Sequence, residues 1–167
     1  TFCEKTCRSF MFFNSFVTLR DQEHFYKSFM QVVEIAKELL KREITLAQNL
    51  VKNEAKLLSY YEQSKDKRLI ILDEDLVGWA EVLNKKPEVL YVIHPRSDGK
   101  WSLGTIHQPN SYSPIKPLPS EWSALKDEEL QSITGVPDAL FCHRTLYMAA
   151  AKSKEGAIKL AEIALNT

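Results

Sequence analysis

From Asp21 to Ser64 the chain contains neither glycine nor proline. Over that run apolar residues recur at Phe25, Phe29, Val32, Val33, Ala36, Leu39, Leu40, Ile44, Ala47, Leu50, Val51, Ala55 and Leu58. Steps of three and four place such residues on one stripe of a helix. The pattern therefore predicts one helix, or two with a slight break near Glu43 to Thr45, and Asp21 has the chemistry of an N-cap. At about 1.5 Å per residue the element would extend roughly 60 Å. A helix of that length either projects as an arm and packs against a second chain, or folds back as a core-facing hairpin.

The rest of the chain changes character. Lys65 to Arg68 is a polar break, and Arg68 to Asp73 reads as a buried strand ending in acidic residues. Asp75 to Asn84 reads as a short helix stopped by Pro87. Val89 to His94 and Trp101 to His107 read as strands joined by the Ser97-Asp98-Gly99-Lys100 turn. The four prolines between Pro109 and Pro119 exclude regular structure there. Asp127 is placed to cap a helix to Ile133, followed by Gly135 and Pro137. Ala139 to Arg144 predicts a fourth strand, which Leu146 to Ala151 either continues or follows as a fifth. Ser153 is placed to cap the last helix. The expected fold class is α/β, more specifically α+β. An irregular segment 1–20 precedes a helical arm or hairpin at 21–64. A small, largely antiparallel sheet with helices follows at 65–167.

Lys+Arg and Asp+Glu both number 22, so the net charge is zero and any basic site has to be local. The three cysteines, Cys3, Cys7 and Cys142, cannot all pair with one another, which favours a reducing compartment. No apolar run approaches the roughly 20 residues that span a bilayer, and the expected location is cytoplasmic. Ser9 to Leu19 is uncharged and Phe-rich but lacks a small-residue cleavage site, and reads as a segment that packs against something upstream.

Lys152-Ser153-Lys154 at a helix start combines two ammonium groups with unpaired backbone N–H groups, a chemistry suited to phosphate. A solvated basic cap has the same sequence. His143 ends a strand beside Arg144, where it could meet phosphate, move a proton or bind metal, or simply be satisfied by backbone. Asp73, Glu74 and Asp75 form an acidic cluster that suits either Mg²⁺ or Mn²⁺ or a solvated turn. Tyr91, Trp101, Tyr112 and Trp122 could stack bases or pack the sheet. There is no glycine-rich phosphate loop, G-x-S-x-G, H-E-x-x-H or paired C-x-x-C, and no residue is assigned a catalytic or metal-binding role.

Six elements occur in a fixed order. They are a hairpin entering Trp101, Lys116-Pro117-Leu118-Pro119 leading to Trp122, and Leu125-Lys126-Asp127-Glu128-Glu129-Leu130. Thr134-Gly135-Val136, Phe141-Cys142-His143 and Lys152-Ser153-Lys154-Glu155-Gly156-Ala157 complete the series. This order resembles the C-terminal half of the melanocyte-proliferating-gene family, metal-dependent hydrolases similar to DHH phosphoesterases. The resemblance implies a substrate-binding domain like the one associated with DHH proteins. The metal (Mn²⁺ or Mg²⁺) would be held by a separate N-terminal half, since the chain carries no T-H-x-G-x-x-H-x-D or D-H-H. It further implies a phosphodiesterase or 3′ to 5′ RNA exonuclease, with single-stranded RNA or a nucleotide held by His143, Arg144, Lys152, Ser153 and Lys116. Where many members carry glycines this chain has Ala149-Ala150-Ala151. The competing expectations are an interaction module that dimerises through the helical arm, and half of a hydrolase acting on another substrate. A eukaryotic source would add mitochondrion or nucleus as locations.

Overall fold

The computed structural model describes residues 22–167 apart from 109, 110 and 112, and leaves the side chains of 22–25 undescribed. The expectations for segment 1–20, Cys3, Cys7, the Asp21 cap and Tyr112 lie outside the described residues. The first element is a single helix α1, Gln22–Gln63, of 42 residues. It shows no break at Glu43–Thr45; Thr45 instead returns its hydroxyl to the Lys41 carbonyl at 2.9 Å and stays within the helix. The chain divides into two compact units, Thr1–Gln48 and Asn49–Thr167, with the boundary inside α1. In the first unit Lys37 meets Glu34 and Lys41 meets Glu38, each pair at 2.7 Å and one turn apart.

The second unit is built on a five-stranded sheet of order β1-β2-β3-β5-β4. Its strands are β1 Leu69–Ile71, β2 Tyr91–Pro95, β3 Trp101–Thr105, β4 Ala139–Cys142 and β5 Met148–Ala151. β1 runs parallel to β2 and every other pairing is antiparallel, so the fold is α+β with a largely antiparallel sheet. Leu146–Ala151 does not continue β4: Leu146 takes positive φ and its amide bonds the His143 carbonyl at 2.8 Å, turning the chain into a separate strand.

Alternation along the strands separates two apolar layers. Tyr91, Ile93, Leu103, Ala149 and Ala151 face α4 (Lys154–Asn166) and α3 (Asp127–Thr134), burying Leu130, Leu160, Ala161 and Trp122. Ile70 and Val92 lie in the other layer with Leu57 of α1 and with Val82 and Leu83 of α2 (Trp79–Leu83). Alanines on β5 and at Ala157, Ala161 and Ala164 of α4 bring that helix close to the sheet. α2 is shorter than Asp75–Asn84 because Gly78, at φ 92, turns the chain immediately before it. Gly104 lies under Trp79, and a Cβ there would come within 3.1 Å of the indole.

Lys67 ends α1. Its ammonium donates to the carbonyls of Tyr61, Glu62 and Ser64 at 2.6, 2.8 and 2.8 Å; that of Tyr61 also takes the Ser64 amide at 3.3 Å. At α3 the cap is Lys126 and not Asp127. Lys126 is extended and bridged to Phe141, so the helix begins one residue later and Asp127 becomes its first residue.

His94 packs against Trp79 with ring centroids 5.5 Å apart, and burial depresses its pKa below the ordinary imidazole value. A base that resists protonation only when folded leaves the unfolded state binding more protons at low pH. Its share of stability is therefore complete above the unfolded pKa, near 6.5, and is lost as pH falls through the depressed one. Chemical denaturation at pH 7.5 and pH 5 should show a loss that His94→Gln reduces.

Candidate functional site

β1, β2 and β5 run one way and β3 and β4 the other. The C-terminal ends of the first three and the N-terminal ends of the last two therefore share one end of the sheet. Four basic side chains come from two segments at that end. Arg96 and Lys100 flank the β2–β3 turn, and Lys152 and Lys154 sit where β5 passes into α4. Trp101 pairs with Ala151, so Lys100 and Lys152 are the next residues outward on adjacent strands.

Acidic partners hold three of the four. Asp98 lies 3.3 Å from Arg96 and 3.1 Å from Lys100, and the bond to Lys100 holds its carboxyl below the usual range. Lys154 reaches Asp73 at 2.5 Å and stands 5.5 Å over the Trp101 ring. Lys152 differs. Its amide donates to the Asp138 carbonyl at 3.0 Å, its side chain is exposed, and no described residue bonds its ammonium.

The start of α4 already holds an anion. Asp138 Oδ2 accepts from the Ser153 amide at 2.8 Å and from the Ser153 hydroxyl at 2.5 Å, and Ser153 Oγ accepts from the Gly156 amide at 3.0 Å. A Cβ on Gly156 would fall 2.2 Å from Asp138 Oδ1. The close approach that glycine permits in this turn is thus used by a carboxylate of the chain itself. An external phosphate at this end would meet lysine side chains and not the helix amides.

The residues expected from the sequence divide between the two ends of β5. Lys152 and Ser153 lie at the basic end. His143 and Arg144 lie at the other, separated by the length of a four-residue strand, about 13 Å. His143 Nδ1 accepts the Thr145 amide at 3.2 Å and lies 2.8 Å from its hydroxyl, so the neutral ring carries its proton on Nε2. The His143 ring stands 4.5 Å from Tyr147, whose other neighbour is His107 at 6.2 Å. Arg144 is exposed, and its carbonyl accepts from Ser123 Oγ at 2.9 Å. Lys116 donates to the Leu165 carbonyl at 3.2 Å, at the end of α4 opposite Ser153.

The acidic run after β1 is engaged by lysines: Asp73 by Lys154, and Glu74 by Lys56 at 2.6 Å. Among the described residues no group of three or more His, Cys, Asp or Glu is placed to hold a metal ion. No metal-dependent step is therefore assigned to them. The Cys142 thiol is pushed up to about 12 by burial, which keeps it protonated.

Asp138 had no sequence signal: it stands alone 15 positions before Ser153, and only the S-x-x-G start of α4 hints at a tight partner. Asp138→Ala should cost about 2 kcal/mol, the scale of charge-assisted bonds to a helix start. Gly156→Ala should destabilise by about 1 to 2 kcal/mol in the wild-type background. With Asp138 already removed it should instead gain about 0.5 kcal/mol of helix propensity. Denaturant melts of the four proteins check this non-additivity.

A family profile described as an uncharacterised protein family, UPF0160, and named for the MYG1 exonuclease, matches residues 8–165. The human MYG1 exonuclease is 30% identical over 93 residues, covering 55% of this chain and 25% of that protein. A fission yeast MYG1 protein (Schizosaccharomyces pombe) is 30% identical over 112 residues, 62% of this chain and 34% of its own length. The budding yeast relative (Saccharomyces cerevisiae) is 30% identical over 109 residues, 60% and 32% respectively. The chain thus spans about a quarter to a third of these relatives. No solved structure matches it. Among the described residues no helix is long and apolar enough to cross a membrane. The profile covers nearly the whole sequence, and the chain belongs to the MYG1 (UPF0160) family.

Proposed function

We propose that this chain is the substrate-holding part of a phosphodiester-cleaving hydrolase of the exonuclease type, acting on single-stranded RNA. Phosphates of the strand are held at the basic end of the sheet. The observation that carries this reading is the gathering of Arg96, Lys100, Lys152 and Lys154 at one end of a sheet in a chain of zero net charge. Backbone recognition needs such a local excess of cations. The exonuclease name of the mammalian relatives supplies the reaction class. Cleavage itself, with Mn²⁺ or Mg²⁺, is assigned to a separate half of the enzyme, and a reducing compartment such as the cytoplasm is the proposed setting.

Lys152 meets the phosphate first, because its ammonium has no acidic partner to leave. Lys100 follows by exchanging Asp98 for substrate, and Ser153 positions Lys152 by fixing the turn into α4. His143, Arg144 and Lys116 line the opposite end. In this reading they contact a more distant part of the strand.

A second reading, self-association through α1, is favoured by one observation. Ile35, Leu39, Leu40, Ile44 and Leu46 are 42–61% exposed, and clustered exposed apolar side chains are a feature of interaction sites. Its occupant would be a second copy of the chain. Sedimentation should then show a dimer that Leu40→Glu with Ile44→Glu converts to monomer; a monomeric wild type contradicts it.

For the RNA reading, fluorescence anisotropy with a labelled single-stranded oligonucleotide is the test. Lys100→Ala with Lys152→Ala should weaken binding about tenfold or more. It should also reduce the slope of log affinity against log salt by about 1.4, or 0.7 per lost phosphate contact. Unchanged affinity and slope would overturn the assignment.

A further inference from the structure

A cavity of about 430 Å³ runs along the outer edge of β1, from the end of α1 to Lys154. Its walls combine an aromatic ring, Tyr60, with the half-buried side chains of Leu69 and Ile71. Lys154 lines it too, with Asp73, Asp66 and Lys65 as its other charged groups. The volume suits one ring system with a substituent.

The backbone of β1 defines what can bind beside it. Toward β2, the Arg68 carbonyl accepts the amides of Leu90 and Tyr91 at 2.9 and 3.0 Å, and Leu72 N–H donates to Ile93 at 2.8 Å. Leu69 and Ile71 therefore turn their amide and carbonyl groups the other way, toward the open edge. At Leu69 both groups are taken by the preceding turn. Its amide donates to the Asp66 carbonyl at 3.2 Å, and its carbonyl lies 2.9 Å from the Ser64 hydroxyl. At Ile71 no described group bonds either one outside the sheet.

One outward donor and acceptor are too few for an added peptide strand, which needs several in succession. They match the edge of a single heteroaromatic ring carrying an adjacent donor and acceptor. With Tyr60 as a stacking surface and Lys154 beside it, we propose that this cavity takes one nucleobase of the substrate. The Lys154 ammonium passes from Asp73 to the attached phosphate. The inference rests on the phosphate assignment made above and adds a base subsite to it. Because every nucleobase has an adjacent donor and acceptor on its pairing edge, such a subsite holds a base without selecting a sequence.

The test uses the whole chain with two probes, adenosine monophosphate and ribose 5-phosphate, followed by amide chemical shifts and titration calorimetry. Adenosine monophosphate should move the Ile71 amide saturably, and Tyr60→Leu should weaken it about tenfold, the scale of one lost base stack. Ribose 5-phosphate should move signals of residues 96–100 and 152–154 but not that of Ile71. If adenosine monophosphate moves only those basic-end signals, or both probes move Ile71 equally, the base subsite is wrong and the phosphate site stands. If neither probe moves any of these signals, both assignments fail.

Discussion

The contact on which the rest of this structure depends is the Asp138 carboxylate seated in the first turn of α4. It ties the start of β4 to the end of β5 through two bonds to Ser153, and Gly156 leaves the space it fills. An anion at a helix start satisfies exposed amides and complements the helix dipole at once. The direction in which Lys152 and Lys154 leave the sheet follows from it. Had that turn been left open it would have offered an amide nest to phosphate; occupied, it works as scaffold and leaves ligand contact to side chains.

Charge is handled in a similar way. The chain has no excess of cations, yet four basic groups meet at one end of the sheet. Asp98, shared by Arg96 and Lys100, and Asp73 pair with three of them. Those pairs are solvent-exposed, so each contributes little to stability and can be exchanged for a ligand anion at small cost. In the proposed reading, such pairing limits indiscriminate attraction of polyanions by the free protein.

Much of the fold was legible because strong local signals coincide with the elements. The Gly/Pro-free run became α1, the Asp98-Gly99 turn became the β2–β3 hairpin, and Ser153 caps α4. What the sequence could not supply was which strand ends meet. His143 and Lys152 are separated by nine positions and by one short strand, so they read as neighbours; an antiparallel hairpin places them at opposite ends of it. Asp138 was invisible for the same reason, since its role depends on a contact across β4 and β5 that leaves no periodicity. At Asp127 the helix signal was right and the cap was wrong, because a bridge between Lys126 and Phe141 decided where the helix begins.

In the proposed arrangement the substrate phosphate is held at the end of the sheet where β5 meets α4. The most direct measurement is a map of backbone amide shifts during titration with a short single-stranded RNA. The largest changes are expected at Arg96–Trp101 and Lys152–Lys154, with smaller ones at His143–Arg144. Largest changes around His143 and Tyr147, with the basic end unmoved, would contradict it.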